Sequence, residues 1–156
     1  AGELGMYVII DWHSIGNLRT EMYQNDSYET TQKETFEFWR IMAKQYKDNV
    51  TVAFFELFNE PTEYNGQLGL CSWSQWKELM EETITIVRAH GAATVPLVAG
   101  FNWAYDLTPV AKDPIEAEGI GYVSHPYPMK RNKPWEKQWT ADWPNHSKSG
   151  GIACFS

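Results

Sequence analysis

The residues VTVAFFELFNEP, at positions 50–61, carry the clearest structural signal in this chain. Positions 50–58 form a short run rich in β-branched and aromatic residues, which is typical of a strand buried on both faces. Pro61 has no backbone N–H for a strand ladder, so the strand is expected to stop at Asn59-Glu60-Pro61. An amide and a carboxyl group therefore come directly after a buried strand.

Three further apolar runs have the same character. Residues 6–12, 94–99 and 119–124 each predict a short buried strand. The segment 107–118, between the last two runs, contains Pro109 and Pro114 and is compatible only with a short helix or a turn. The sequence therefore predicts four strands.

Helices are predicted between the strands. Thr31 and Glu34 have the spacing of a capping box and precede apolar residues at helical spacing. Ser74 is the expected N-cap of a second amphipathic helix, which ends near His90-Gly91. Because strands and helices alternate, the sequence predicts an α/β fold with a parallel sheet.

Composition excludes several classes of protein. The 156 residues carry a net charge of -7 and no long run of Lys or Arg, so a nucleic-acid partner is not expected. No apolar run approaches the roughly 18 residues of a membrane span. Cys71 and Cys154 lie far apart and have no metal-ligand spacing, so neither a zinc site nor a disulfide framework is predicted. Whether the two cysteines pair stays open.

Polar or aromatic side chains follow each predicted strand, namely His13, Asn59, Glu60, Trp103 and His125. In a (β/α)₈ barrel the carboxyl ends of the strands form the active-site face. A complete barrel needs eight strands and typically about 250 residues. The expected fold is therefore part of such a barrel.

Glu60 has the chemistry of a general acid/base. A carboxyl group at this position can protonate a glycosidic oxygen and later take a proton from water, as a retaining glycosidase requires. The amide of Asn59 can hydrogen-bond a sugar hydroxyl in the same site.

Three motifs, in this order, resemble glycoside hydrolase family 5: residues 7–13, Asn59-Glu60-Pro61 and His125-Pro126-Tyr127. Residues 100–103 resemble the exit of the fifth strand in the cellulase branch of that family. The resemblance implies a partial (β/α)₈ TIM barrel that holds approximately strands three to six with their helices. It covers residues 1–143 as the central part of the catalytic barrel and leaves 144–156 as an atypical tail.

The resemblance also implies a function, an endo-β-1,4-glucanase (cellulase) that retains anomeric configuration, needs no cofactor, acts on β-glucan and is extracellular. Its catalytic residues would be Glu60 as acid/base, with His125 and Tyr127, and its substrate-binding residues would be His13, Asn59, Trp12, Trp103 and Trp135. The three tryptophans would stack on sugar rings, because the axial hydrogens of a pyranose form an apolar patch. For Trp12 and Trp103, packing at the barrel rim is an equally open alternative.

The chain departs from the family pattern at the second carboxylate. Retaining enzymes need a nucleophile about 5 to 5.5 Å from the acid/base, and the family places it as a Glu on the seventh strand. After Glu136 the only acidic residue is Asp142, and no strand ending in Glu is predicted. By the same resemblance, the first two strands would precede residue 1. We therefore expect a partial chain with little or no activity of its own.

Several alternatives stay open. The chain could be a non-catalytic fragment that binds cello-oligosaccharide, or a β-mannanase or xyloglucanase of the same architecture. His13, His125 and Glu60 could form a metal site, although their spacing does not favour one. Glu56 shares the parity of Glu60 and is expected to point into the barrel, where a buried partner holds it. Exposed sheet edges of a partial barrel would favour self-association.

Overall fold

A five-stranded parallel sheet forms the centre of the molecule. The computed structural model describes residues 1–62 and 66–127, Lys137 and the backbone of residues 152–155. The strands lie in the order β1-β4-β6-β7-β8, so that successive strands of this sheet are neighbours. Their bounds are β1 Val8–Asp11, β4 Val52–Glu56, β6 Val95–Ala99, β7 Gly121–Ser124 and β8 Ile152–Phe155. The predicted parallel α/β fold is confirmed.

The fifth strand, β8, was not predicted. It pairs in parallel with β7, with Gly121 opposite Ile152 and Ser124 opposite Phe155. It lies within the segment that the sequence analysis sets apart as a tail, where no strand was expected. The division of the chain at residue 143 stays a prediction, because most of residues 128–156 lie outside the described part.

The polar loop after β1 is also more structured than expected. The polar loop contains β2, Ile15–Asn17, and β3, Met22–Tyr23, which pair antiparallel. The chain leaves the main sheet after Glu56, and Glu60–Pro61 forms a two-residue strand, β5, that pairs in parallel with β2. The predicted strand 50–58 is too long by two residues at each end, because β4 spans only Val52–Glu56.

Two helices cover one face of the sheet. Helix α1, Gln32–Tyr46, begins with the predicted capping box of Thr31 and Glu34. Helix α2, Trp73–Ala89, begins at Ser72 and not at Ser74. The Ser72 hydroxyl accepts from the Gln75 N–H while the Gln75 side chain accepts from the Ser72 N–H. This reciprocal pair satisfies two free N–H groups at the start of the helix. Ser74 could not form such a pair, because the residue three positions after it is Lys77, whose side chain has no acceptor.

The core lies between the sheet and these helices, and two buried tryptophans join them. Trp39 of α1 donates from Nε1 to the Leu57 carbonyl, and Trp76 of α2 donates to the Ala99 carbonyl, each at 3.0 Å. Both tryptophans are at most 1% exposed. Each helix is thus fixed to the carboxyl end of a strand, the end at which the polar side chains emerge.

The connection from β6 to β7 contains a left-handed turn. Asn102, Trp103 and Ala104 all have φ near +57°, a conformation that costs non-glycine residues roughly 1–2 kcal/mol each. The turn is closed by reciprocal backbone hydrogen bonds between Phe101 and Asp106. Gly100 permits this closure, because a Cβ there would lie 2.0 Å from the Asp106 carbonyl oxygen.

Residues 107–118, left ambiguous by the sequence, hold one 3-10 turn, Thr108–Ala111. None of the helices in the described residues combines the length and apolar character needed to cross a bilayer.

Candidate active site

Glu60 lies in β5, four residues after the end of β4, and His125 directly follows the end of β7. The Glu60 N–H donates to the Ser14 carbonyl at 3.1 Å, which fixes the backbone beside β2. The His125 N–H donates to the Ala104 carbonyl, also at 3.1 Å, and so connects the site to the left-handed turn. Backbone hydrogen bonds therefore hold the backbone from which each of these side chains extends.

A buried hydrogen-bond network connects these residues. His125 bonds through Nε2 to Glu56 Oε1 at 2.8 Å and through Nδ1 to Glu60 Oε1 at 3.1 Å. The Tyr127 hydroxyl donates to the same Glu60 oxygen at 3.3 Å. Glu56, Glu60 and His125 are 5%, 7% and 4% exposed. The expectation that a buried partner holds Glu56 is confirmed, and the partner is His125.

The two carboxylates around His125 favour the protonated form of its imidazole. Burial by itself lowers its pKa, but the hydrogen bonds and the charges of Glu56 and Glu60 outweigh burial and raise the pKa to about 9. Both ring nitrogens then carry a proton, and each donates to one carboxylate. Burial, followed by the charge of Glu60, also raises the pKa of Tyr127, so its phenol remains a donor.

Tyr105 is a site residue whose role the sequence does not indicate. Its hydroxyl accepts from the Tyr127 N–H at 2.9 Å and donates to the Tyr127 carbonyl at 3.3 Å. Tyr105 is buried, at 6% exposure. It fixes the backbone from which Tyr127 reaches Glu60. The sequence does not indicate this contact, because the two tyrosines are 22 positions apart and share no motif.

His13 does not join this group. Its Nδ1 lies 2.6 Å from Asp11 Oδ2, and its side chain is 63% exposed. Among the described residues, no cluster of His, Cys, Asp and Glu has the arrangement of a metal site. The structure therefore does not bring His13 to His125 and Glu60, as a metal site of these three residues would require.

Asp11 faces the same interior as Glu56, its register partner on β4. Burial raises the pKa of Asp11 and the charge of Glu56 adds to this, against the lowering effect of His13 and His125. Asp11 Oδ1 is buried and accepts no hydrogen bond from the described residues. The strand-end rule that selected His13 could have selected Asp11 as well.

The predicted sugar platforms separate into different environments. Trp12 packs on Phe38 of α1, with ring centroids 4.3 Å apart, and donates from Nε1 to Thr35. Its ring therefore packs against the helix layer, which agrees with the alternative of packing at the barrel rim. Trp103 is half-exposed in the left-handed turn and donates from Nε1 to Gln24 Oε1 at 3.0 Å. Trp135 lies outside the described residues.

Asn59 is buried beside Glu60, and its N–H donates to the Trp12 carbonyl at 3.1 Å. The described residues thus bring together Asn59, Glu60, His125 and Tyr127. His13 lies on the exposed side of Asp11.

The sequence of this site matches a known protein family. Residues 1–155 match the family model described as cellulase (glycosyl hydrolase family 5). The chain belongs to glycosyl hydrolase family 5. The resemblance drawn from the three motifs is confirmed, and with it the (β/α)₈ barrel as the fold to which this sheet belongs.

Several bacterial endoglucanases are similar to this chain over part of their length. Endoglucanase A of Butyrivibrio fibrisolvens is 31% identical over 128 residues, which cover 82% of this chain and 26% of that protein. The chain spans about a quarter of the length of the curated relatives that it matches.

Solved structures agree with the fold. A β-glucanase from Saccharophagus degradans is 50% identical with a TM-score of 0.86, covering 90% of this chain and 44% of that one. A second structure of that β-glucanase contains cellotetraose. An endocellulase from the archaeon Pyrococcus horikoshii, 16% identical, has a TM-score of 0.77 over 97% of this chain and 52% of its own. That last likeness shows the fold alone.

Proposed function

We propose that this family 5 chain supplies the acid/base half of a retaining endo-β-1,4-glucanase site, with Glu60 as the acid/base. The observation that carries the proposal is the environment of the Glu60 carboxyl group. Oε1 accepts from His125 and Tyr127, whereas Oε2 accepts no hydrogen bond from the described residues. One oxygen is thus fixed by the protein, and the other is left for a substrate.

The reaction follows from this arrangement. In the first step Glu60 donates its proton to the glycosidic oxygen as the bond to the anomeric carbon breaks, while a second carboxylate forms a bond to that carbon. In the second step Glu60 takes a proton from water, and the water oxygen replaces the carboxylate.

Glu56 is not that second carboxylate. Its Oε1 is engaged by His125, and the residue is 5% exposed beneath the imidazole ring. A nucleophile must instead reach the anomeric carbon directly. We therefore expect the nucleophile outside the described residues, and little hydrolysis by this chain alone.

The substrate is a β-glucan or a cello-oligosaccharide. Asn59 and His13 offer hydrogen bonds to hydroxyl groups, and the half-exposed ring of Trp103 offers an apolar face for a sugar. The cellotetraose complex of the Saccharophagus degradans β-glucanase supports this class of ligand. The chemistry needs no cofactor. A polymer of this kind cannot enter a cell, so the proposed location is extracellular.

Cellotetraose binding and cleavage can be measured in parallel to test the function. Tryptophan fluorescence follows binding to the chain, while product analysis on cellotetraose and carboxymethylcellulose follows turnover, beside a full-length family 5 cellulase. We expect saturable binding that Trp103→Ala weakens, with little turnover. Glu82→Gln, an exposed change on α2, is the control. A panel with mannan and xyloglucan tests the substrate class.

Two outcomes would contradict the proposal. Turnover comparable to that of the full-length cellulase would show that the chain contains its own nucleophile. Turnover that survives in Glu60→Gln would remove the acid/base assignment.

Association between copies is part of the same proposal. In the described sheet, β1 forms one edge, where Ile9 is 49% exposed, and Met6 and Tyr7 just before the strand are 54% and 77% exposed. An exposed apolar edge strand is a template for pairing with another chain. Size-exclusion chromatography is expected to show species larger than a monomer, and a single monomeric peak would refute this part.

A further inference from the structure

Glu56 is a buried carboxylate for which the proposed reaction has no direct use. Its side chain is 7% exposed, and the imidazole of His125 lies between it and Glu60. A carboxylate in such a position costs free energy unless it is paired and hydrogen-bonded. Its partner, however, is also the partner of the proposed acid/base.

We propose that Glu56 is a positioning residue for Glu60, acting through His125, which determines the Glu60 oxygen that carries the catalytic proton. The inference rests on the proposed acid/base role of Glu60. It adds a residue that touches neither the substrate nor Glu60.

The argument starts from the protons on the imidazole. While Glu56 is ionised, His125 holds protons on both nitrogens, and the Nδ1 proton is donated to Glu60 Oε1. The Tyr127 hydroxyl donates to the same oxygen. With two donors at Oε1, the proton that Glu60 carries as an acid is placed on Oε2, the oxygen that the protein leaves open.

Removing the charge of Glu56 makes the reverse arrangement accessible, because a glutamine can accept from Nε2 without favouring a doubly protonated ring. A neutral imidazole that donates from Nε2 to a glutamine oxygen presents a lone pair at Nδ1. Glu60 then keeps its contact only by placing its own proton on Oε1, toward the ring. That proton points away from the substrate, so the acid would be misdirected without any change in its distance from the sugar.

The surrounding charges favour the same state. Asp11 on β1 lies in register with Glu56, and its charge acts on the same interior. On the other side, β6 presents no titratable side chain between Val95 and Ala99. The cation at His125 therefore faces three carboxyl groups, those of Asp11, Glu56 and Glu60, with His13 outside Asp11 and the phenol of Tyr127 beside Glu60.

Nuclear magnetic resonance tests the inference without depending on activity. Ring ¹⁵N signals report protonation of His125, identified by their loss in His125→Asn, and the carboxyl ¹³C signal reports Glu60. In the unaltered chain His125 is expected to keep both ring protons up to about pH 9. In Glu56→Gln its titration is expected to move to lower pH by about one to three units, and the Glu60 carboxyl signal is expected to titrate at higher pH.

Glu56→Asp keeps the charge and should retain most of the His125 behaviour, while Glu82→Gln should change neither signal. A Glu60 signal that titrates identically in the unaltered chain and Glu56→Gln would reduce Glu56 to a structural role and overturn the proposal. The unaltered chain is sufficient if Glu56→Gln does not fold, because a His125 that loses a ring proton near 6.5, the ordinary pKa of an imidazole, overturns the proposal as well. Hydrolysis that proceeds without Glu60 would refute the proposed function but leave the titration result intact.

Discussion

Raising the pH should destabilise this protein through His125. The folded-state pKa of about 9 lies above the ordinary value of 6.5. Below pH 6.5 both the folded and unfolded states hold the proton, and the stabilisation is complete. Between 6.5 and about 9 only the folded state holds it, so the free energy of unfolding falls as the pH rises.

The magnitude follows from the same two values. A rise from 6.5 to about 9, at about 1.36 kcal/mol per unit, corresponds to about 3 kcal/mol of stability lost over that window. Since domains of this size have only about 5–15 kcal/mol in total, the loss should be large. Urea unfolding, followed by tryptophan fluorescence at a series of pH values, measures it directly.

Two variants separate His125 from other groups that titrate in this range. His125→Asn should remove most of the decrease in the free energy of unfolding with pH. It should also lower stability at every pH, because Glu56 and Glu60 lose their partner. His13→Asn should keep this pH dependence, because His13 is exposed and bonds to Asp11, outside the buried network of Glu56, Glu60 and His125. A free energy of unfolding that stays constant from pH 6.5 to 9 in the unaltered chain would refute the account of His125 as a buried cation.

Two further predictions concern the residues that support the site. Gly100→Ala should lower the free energy of unfolding by more than about 3 kcal/mol, because the new Cβ would lie 2.0 Å from the Asp106 carbonyl oxygen. Gly91→Ala should lower it by only about 1–2 kcal/mol, because Gly91 has a φ of +77° but open space around a Cβ. Urea unfolding of both variants checks the difference, and equal costs would contradict the close approach. Tyr105→Phe should lose about 1–2 kcal/mol and weaken cellotetraose binding, since the Tyr127 backbone loses both bonds to that hydroxyl. Unchanged fluorescence titrations would show that Tyr105 does not position Tyr127.

The sequence predicted the features that depend on local patterns. The apolar runs identified β1, β4, β6 and β7, and the Thr31 capping box located the start of α1. Placing polar residues at strand ends was enough to identify Glu60 and His125 as members of one site. These signals are local because strand burial and helix capping depend on a few neighbouring residues.

Features that depend on distant contacts were missed or displaced. Ser72 was overlooked as the cap of α2 because Ser74 also precedes an apolar run, and only the reciprocal bonds with Gln75 distinguish the two. Trp12 follows a strand end, yet its side chain points to the helix layer, since successive strand residues face opposite sides. Tyr105 depends on a turn with left-handed backbone at three non-glycine residues, which sequence propensity argues against.

The position of His125 between two acids has an evolutionary consequence. Replacing it in one step would leave two buried carboxylates without their partner. The resulting loss in the free energy of unfolding is several times larger than the loss that a typical point mutation causes. A lineage can abandon His125 only if Glu56 becomes neutral first or at the same time. Positions 56 and 125 should therefore vary together among related proteins, although 69 residues separate them in the chain.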